Sequence, residues 1–152
     1  MIERLFTTYE TLEKLPFGKW VFSRLAGHFV PYSGSIHANV QMLKKGHAEV
    51  TLRDRKSVRN HLSSVHAMAL ANLGELTSGL AFLSSVPTGT KAIVTHFSTD
   101  YLKKAKGTLR ATSHCLLVGS NERSEHRVVA EIFNAAGEIV AKTEATWLIA
   151  PK

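Results

Sequence analysis

One carboxylate stands in the middle of a long apolar run. Val65 to Phe82, VHAMALANLGELTSGLAF, reads as a single helix, and Glu75 is its only acid. An ionised carboxylate inside a dry core costs several kcal/mol unless something compensates it. Helical spacing puts Met68, Ala71 and Asn72 on its face in the preceding turns, and Ser78, Gly79 and Phe82 in the following ones. Apart from the two ends these residues are small or polar. Such a stripe leaves room beside the acid for a partner subunit, ordered water or a ligand. An apolar groove also pushes a carboxylate's pKa upward, which strengthens it as a base. The plain alternative is a buried acid paired with a basic or hydroxyl group.

Other chemistries have less behind them. Eight histidines are scattered with no His-x-x-x-His or cysteine-paired spacing, so no metal is expected. The lone Cys115 lies in an alternating run (Leu109, Ala111, Ser113, Cys115, Leu117) that reads as the apolar face of a strand, where a thiol is inert. A formal charge of +7 favours an anionic partner. No zinc-finger spacing, glycine-clamped loop or interleaving of aromatics with the basic runs accompanies it, so nucleic acid is not the expected partner. The basic residues gather in two places: Arg53, Arg55, Lys56 and Arg59 before the long helix, and Lys103, Lys104, Lys106 and Arg110 further on.

The elements that must position these groups follow from periodicity. Residues Glu3 to Leu15 and Gly18 to Phe29 read as helices broken by Pro16-Phe17-Gly18, and Pro31-Tyr32-Ser33-Gly34 reads as a turn. Period two begins at Ile36: Ile36, Ala38, Val40 and Met42 share a face, and Lys45-Gly46 turns the chain into His47 to Arg53. After the long helix come four candidate strands, Lys91–Tyr101, Gly107–Val118, His126–Asn134 and Ile139–Ile149, each longer than the usual five or six residues and expected to form a meander. The class is therefore α+β: a curved antiparallel sheet of about six strands wrapped around one helix, with a helical lead-in over 1–33 and one domain over 1–152. The aromatic lead-in (Phe6, Tyr9, Phe17, Trp20, Phe22, Phe29) is expected to pack on the sheet or to shape the mouth of the groove.

The long helix is apolar as far as Val86, about the length that spans a bilayer. His66, Asn72, Glu75, Thr77 and Ser78 would be costly in hydrocarbon, which favours a helix buried by a sheet. No membrane association is expected. The opening MIERLFTTYETLEKL has neither a leader's composition nor a cleavage pattern, so the expected location is cytoplasmic.

The segment Asn60-His61-Leu62-Ser63-Ser64-Val65-His66-Ala67 resembles the active-site region of hotdog-fold acyl-CoA thioesterases, particularly the PaaI-like branch. There an Asn precedes a His-Gly-Gly by six residues and an acid follows the His by nine; Asn60 to His66 is six and His66 to Glu75 is nine. Tyr101-Leu102 followed by Lys104-Ala105-Lys106-Gly107 is similar to the family's strand ending in Tyr-Leu, a basic residue and Gly. The resemblance covers Ser35 to Ile149.

It implies the hotdog fold, hydrolysis of an acyl-CoA thioester, and no cofactor beyond the coenzyme A of the substrate. Glu75 would be general base or nucleophile, the Ala67 N–H would polarise the thioester carbonyl, Asn60 would orient water or thioester, and His66 would orient the loop. Thr95 is the nearest counterpart of the hydroxyl residue some members place on the next strand. Met68, Asn72, Ser78 and Gly79 would line the substrate groove, and Arg55, Arg59, Lys104 and Lys106 would meet the phosphates of coenzyme A. Two departures stand out: His-Gly-Gly is here His66-Ala67-Met68, which crowds the thioester's approach, and the branch's Asp is Glu75. Hotdog 3-hydroxyacyl dehydratases are a second resemblance, since His61 precedes Glu75 by the fourteen residues they use, although Leu62-Ser63-Ser64-Val65 replaces their Pro- and Gly-rich stretch. A dimer that binds acyl-CoA or lipid without turnover is the non-enzymatic alternative.

One geometric point is independent of family. Nine residues at about 100° each set Glu75 on the opposite side of the helix from His66. One chain therefore cannot easily bring Glu75 to its own helix start, whereas two can. In hotdog dimers the acid of one subunit faces the Asn and oxyanion amide of the other, so the resemblance implies an obligate homodimer with two shared sites, with a dimer of dimers as a further possibility.

Overall fold

Two periodicities build the molecule, and the computed structural model describes it over residues 2–152, with side chains from residue 5 onward. The helical lead-in consists of α1 (Ile2–Leu12), α2 (Gly18–Phe29) and the short α3 (Pro31–Gly34). A hairpin follows, β1 (Asn39–Lys44) and β2 (His47–Leu52), then a 3-10 turn at Lys56–Val58 and the long helix α4 (Ala67–Ser85). The remaining strands are β3 (Thr90–Tyr101), β4 (Leu109–His114), β5 (Ser124–Phe133) and β6 (Ile139–Pro151). All pairings are antiparallel, in one six-stranded sheet of order β1-β2-β4-β5-β6-β3. The sheet wraps α4, which touches every strand of it. This is the α+β hotdog architecture.

The core is built by alternation. Val50 and Leu52 on β2, Leu109 and Ala111 on β4, Val128, Ala130 and Ile132 on β5, and Ala145, Trp147 and Ile149 on β6 are all buried beneath α4. Leu70, Leu73, Ala81 and Phe82 answer them from the helix. Each such large side chain removed from water contributes about 1.5–3 kcal/mol, so the helix is held by its hydrophobic circumference rather than by caps.

Several expectations need correction. The last four strands are not a simple meander: β4, β5 and β6 are consecutive neighbours, but β3 lies at the far edge beside β6. The reason is the link after β3. Leu102 and Lys103 donate their N–H groups to Val140 O, Ala105 is buried, and its carbonyl accepts from Val65 N. The chain is thus carried past the helix start to β2 before β4 begins. The Gly107–Val118 strand shrinks to Leu109–His114; beyond it Leu116 and Leu117 are exposed, so the alternating face ends at Ser113 and Cys115 is only half-buried. Burial pushes the Cys115 thiol up, which keeps it protonated.

On β1 the register shifts between Val40 and Met42, so Leu43 takes the inward place expected of Met42. Bulged Gln41 offers its carbonyl outward, where Tyr9 Oη and Lys19 Nζ donate to it at 3.1 and 2.7 Å. Pro31–Gly34 is a helical turn rather than a reverse turn, with proline at its first position. The lead-in aromatics divide. Tyr9 and Phe22 are buried edge to face, whereas Phe17, Trp20 and Phe29 stay exposed.

Candidate active site

Glu75 lies on the flank of α4 that the strands leave to α3. Asn72, one turn earlier and buried, donates from Nδ2 to the carbonyl of Tyr32 at 3.1 Å, and this ties α3 to the helix. Ser33 follows, and its hydroxyl donates to Glu75 Oε2 at 3.5 Å. No cation pairs with Glu75 among the described residues. Burial raises its pKa, and the Ser33 hydrogen bond offsets part of that rise.

On the other side, Gly79 lets the indole of Trp147 come close. A Cβ on Gly79 would sit 3.3 Å from the Trp147 ring and 3.9 Å from Glu75 Oε1, so ring and carboxylate flank the same small gap. Ser78 is buried and donates back to the Glu75 carbonyl, while Phe82 stacks at a tilt on Trp147, 5.5 Å between centroids. A cavity of about 420 Å³ opens between α2, α3, β1 and α4; Ser33 and Leu76 line it with Arg24, Gly27 and Val40, whereas Glu75 itself does not.

A second group gathers at the start of α4. His66 is the N-cap, with Nδ1 accepting from Met68 N at 3.0 Å, which requires that nitrogen to be unprotonated. Its own N–H is held by Val58 O. The Ala67 N–H, first of the helix, has no partner among the described residues, so it presents the positive end of the peptide dipoles outward. The Met68 side chain is 57% exposed, turned to solvent rather than filling the place of the absent glycine.

Asn60 closes the loop leading into this helix. Its Oδ1 accepts from Leu62 N, Ser64 N and Ser64 Oγ at 2.9, 3.2 and 3.1 Å, and Nδ2 has no partner among the described residues. His61 is exposed on the turn so formed. Tyr101 arrives from the end of β3 and donates to the carbonyl of Ala67.

The basic residues form two kinds of contact. Asp54 accepts from Arg59 Nε at 2.6 Å and from Gly107 N at 2.9 Å, joining the loop before α4 to the Lys104–Lys106 segment. These bonds hold the Asp54 carboxyl below the usual range. The two basic clusters, distant in sequence, therefore share one end of the molecule, where Arg59, Lys104 and Lys106 are exposed. Arg55 turns inward, donating to Ile36 O at 2.7 Å and to Ser57 Oγ at 2.8 Å. Thr95 stands apart at the bulge in β3, its hydroxyl on Thr146 O at 3.3 Å.

Glu75 is eight residues along α4 from Ala67, about 12 Å of helix. Within one chain the acid and the helix start are thus separate groups. Three contributors were not singled out from sequence. Ser33 could be found only by knowing that α3 folds back on α4. Trp147 carries no signal beyond strand alternation. Tyr101 was visible as part of a motif, but its bond to Ala67 was not.

A family model described as a domain of unknown function, DUF4442, matches residues 18–149. The chain belongs to the DUF4442 family. Its architecture is that of the hotdog fold. No functionally curated protein matches this DUF4442 chain. Among solved structures, a structural-genomics protein is similar at 29% identity with a TM-score of 0.84, covering 99% of both chains. A Pseudomonas aeruginosa protein of unknown function, named a probable thioesterase, is 23% identical with a TM-score of 0.75, over 91% of this chain and 97% of its own. A Streptococcus mutans protein with acetyl-CoA bound is 27% identical with a TM-score of 0.64, over 76% of this chain and 90% of its own.

Proposed function

We propose that this DUF4442 protein is an acyl-CoA thioesterase that works as a homodimer, with Glu75 of one protomer facing the α4 start of the other. The observation that carries the reading is Glu75 itself: a half-buried carboxylate with no cation partner among the described residues, met by one hydroxyl at 3.5 Å. A structural acid at such a place would be paired.

In this reading Glu75 takes a proton from water, whose oxygen attacks the thioester carbonyl carbon. The Ala67 N–H of the opposite protomer, with its helix dipole, meets the developing oxyanion. The C–S bond then breaks and the thiolate leaves, taking up a proton. Direct attack by the carboxylate through an anhydride is the variant of the same reading. Asn60 orients water or thioester through Nδ2, and His66 keeps the helix start in place. Met68, Asn72, Ser78 and Gly79 would line a groove that the second protomer completes, while Thr95 belongs to it only if the partner's approach reaches β3.

The edge strand β3 spans twelve residues and pairs on one side with β6, which leaves its other side for a second copy. Arg59, Lys104 and Lys106 would meet coenzyme A phosphates, with Arg55 supporting their loop from within. The thioesterase name of the Pseudomonas relative and the acetyl-CoA held by the Streptococcus one support the substrate class. No helix among the described residues is long and apolar enough to cross a membrane, and no group of three or more His, Cys, Asp or Glu among them is placed to hold a metal. A cytoplasmic site of action, without nucleic acid as partner, is part of the proposal.

The test is a thiol-release assay over a panel of acyl-CoA esters. Glu75→Gln should lower the rate by at least about a hundredfold, from loss of the base, and Asn60→Ala should lower it less. An unaltered rate in Glu75→Gln removes the assignment.

A further inference from the structure

Ser33 is a buried hydroxyl, 7% exposed, and its side-chain partner is the carboxylate of Glu75. Serine is an uneconomical residue for a buried site in a four-residue helix unless its oxygen has a task, because a desolvated hydroxyl must be satisfied. Three independent contacts fix where that oxygen points. At Gly27 and Gly34 the backbones of α2 and α3 touch, and a Cβ on Gly34 would fall 2.2 Å from Gly27 O, so this approach is closed to any other residue. Asn72 donates to Tyr32 O, immediately before Ser33. Downstream, Arg24 grips the exit of the segment, donating to the carbonyls of His37 and Ala38 and to Asn39 Oδ1 at 3.1, 2.9 and 3.0 Å.

The groups facing Glu75 are few. Ser33 approaches from α3, Asn72 and Gly79 from its own helix, and Trp147 from β6; none of them is charged. The hydroxyl is therefore the one hydrogen-bond donor recorded on this carboxylate among the described residues. We propose that Ser33 is a positioning residue for Glu75: the α2–α3 segment exists at this place to present a hydroxyl that selects the carboxylate's rotamer. The proposal rests on the thioesterase reading for its catalytic consequence, but not for its physical content.

A hydroxyl donating to a carboxylate stabilises the charged state more than the neutral one. Its removal should leave burial unopposed, so the Glu75 pKa rises. The experiment has two arms on the full-length protein. In the first, the Glu75 side-chain carboxyl is followed by carbon NMR titration with carboxyl-labelled glutamate, using Glu75→Gln to assign the signal. Ser33→Ala should move the midpoint upward, Ser33→Thr should restore it, and Ser33→Cys, which keeps the volume with a weaker donor, should fall between. In the second, the pH profile of kcat/KM for thioester hydrolysis should show its acid limb moved to higher pH in Ser33→Ala. The loss should be up to about tenfold, mostly at acid pH, with KM little changed.

A merely structural Ser33 would lower stability and leave both profiles in place. An unchanged Glu75 midpoint in folded Ser33→Ala overturns the proposal, as does an unchanged midpoint in Ser33→Cys should the alanine variant not fold. If the native chain hydrolyses no thioester, the functional reading fails alone, and the titration still decides the role of Ser33.

Discussion

Tyr101 reaches back from the end of β3 and donates its phenolic hydrogen to the carbonyl of Ala67, 3.1 Å away. The edge strand and the first residue of the long helix are thus tied together in an exposed place, where neither needs the bond for burial. The bond fixes the Ala67–Met68 peptide plane, and it bears on the Ala67 N–H, which lies in the preceding peptide, only through the shared Ala67 Cα. Tyr101→Phe keeps the ring and removes the bond, which is worth about 0.5–1.5 kcal/mol. The expected result is a two- to tenfold fall in kcat/KM with unfolding midpoint little altered. A fall in stability with unchanged kinetics would make the bond a strand anchor only.

The environment of Glu75 gives opposite pH signs for activity and stability. Burial raises its folded pKa above the unfolded value near 4.3. As a base it must be ionised, so kcat/KM should climb through an acid limb lying above the ordinary glutamate range, and Glu75→Gln should abolish that limb. For stability, the folded state holds the proton to higher pH. The contribution of this group is complete below the unfolded pKa and is lost as pH rises through the folded one. Glu75→Gln should therefore gain stability over the native chain at pH 7 to 8 and lose that advantage near pH 4. Denaturant unfolding at several pH values checks it, and an advantage independent of pH contradicts the sign.

How much of this was legible in the sequence depends on the distance over which each feature is determined. The long helix, the β1–β2 hairpin and the strand alternation are local, and hydrophobic period alone reveals them. The position of β3 is not local. Its alternation is equally compatible with pairing to β4 or β6, and the choice falls to Ala105, whose burial and bond to Val65 carry the chain past the helix start. The bulge at Gln41, which exchanges Met42 for Leu43, is invisible to a strict period of two.

The candidate site divides in the same way. Glu75 is conspicuous because a lone acid interrupts an apolar run, and Asn60 and His66 carry positional signals of a loop and a cap. Ser33 is forty-two residues from its carboxylate, and nothing in Pro31-Tyr32-Ser33-Gly34 distinguishes it from a surface turn. Asp54 was passed over as one acid within a basic loop, yet it holds that loop to Gly107.

That junction has its own signature. The Asp54 side chain is 8% exposed and accepts from Arg59 and Gly107, which holds its pKa below the usual range. Its stabilisation is present above the unfolded pKa near 3.9 and is lost as pH falls through the lower folded value. Asp54→Ala should cost about 0.5–1.5 kcal/mol at pH 7, since its hydrogen bonds to exposed donors are exchanged for water, and the difference from the native chain should shrink in strong acid. Because the junction joins the two basic clusters, the variant should also raise KM for acyl-CoA while leaving it nearly constant for a short thioester without the nucleotide. Equal changes in both KM values would place the fault in the catalytic groups instead.

The shared site can be tested with a substitution that the helix itself tolerates. Ala67 is the first residue of α4, a position where proline is favoured because the N–H there has no intrahelical partner. His66 before it has φ −64° and ψ 141°, the extended conformation that a residue preceding proline prefers. Ala67→Pro therefore removes the proposed oxyanion donor while leaving the helix its start. Loss of one such donor should lower kcat by about 10²–10³-fold, with the unfolding midpoint nearly unmoved. Mixing it with Glu75→Gln, after reversible dissociation, then separates the two geometries. If each site takes its acid from one protomer and its donor from the other, about half of all dimers are mixed, every mixed dimer carries one intact site, and roughly a quarter of native activity returns. If both groups serve the same chain's site, every protomer in the mixture lacks one of them and no activity returns.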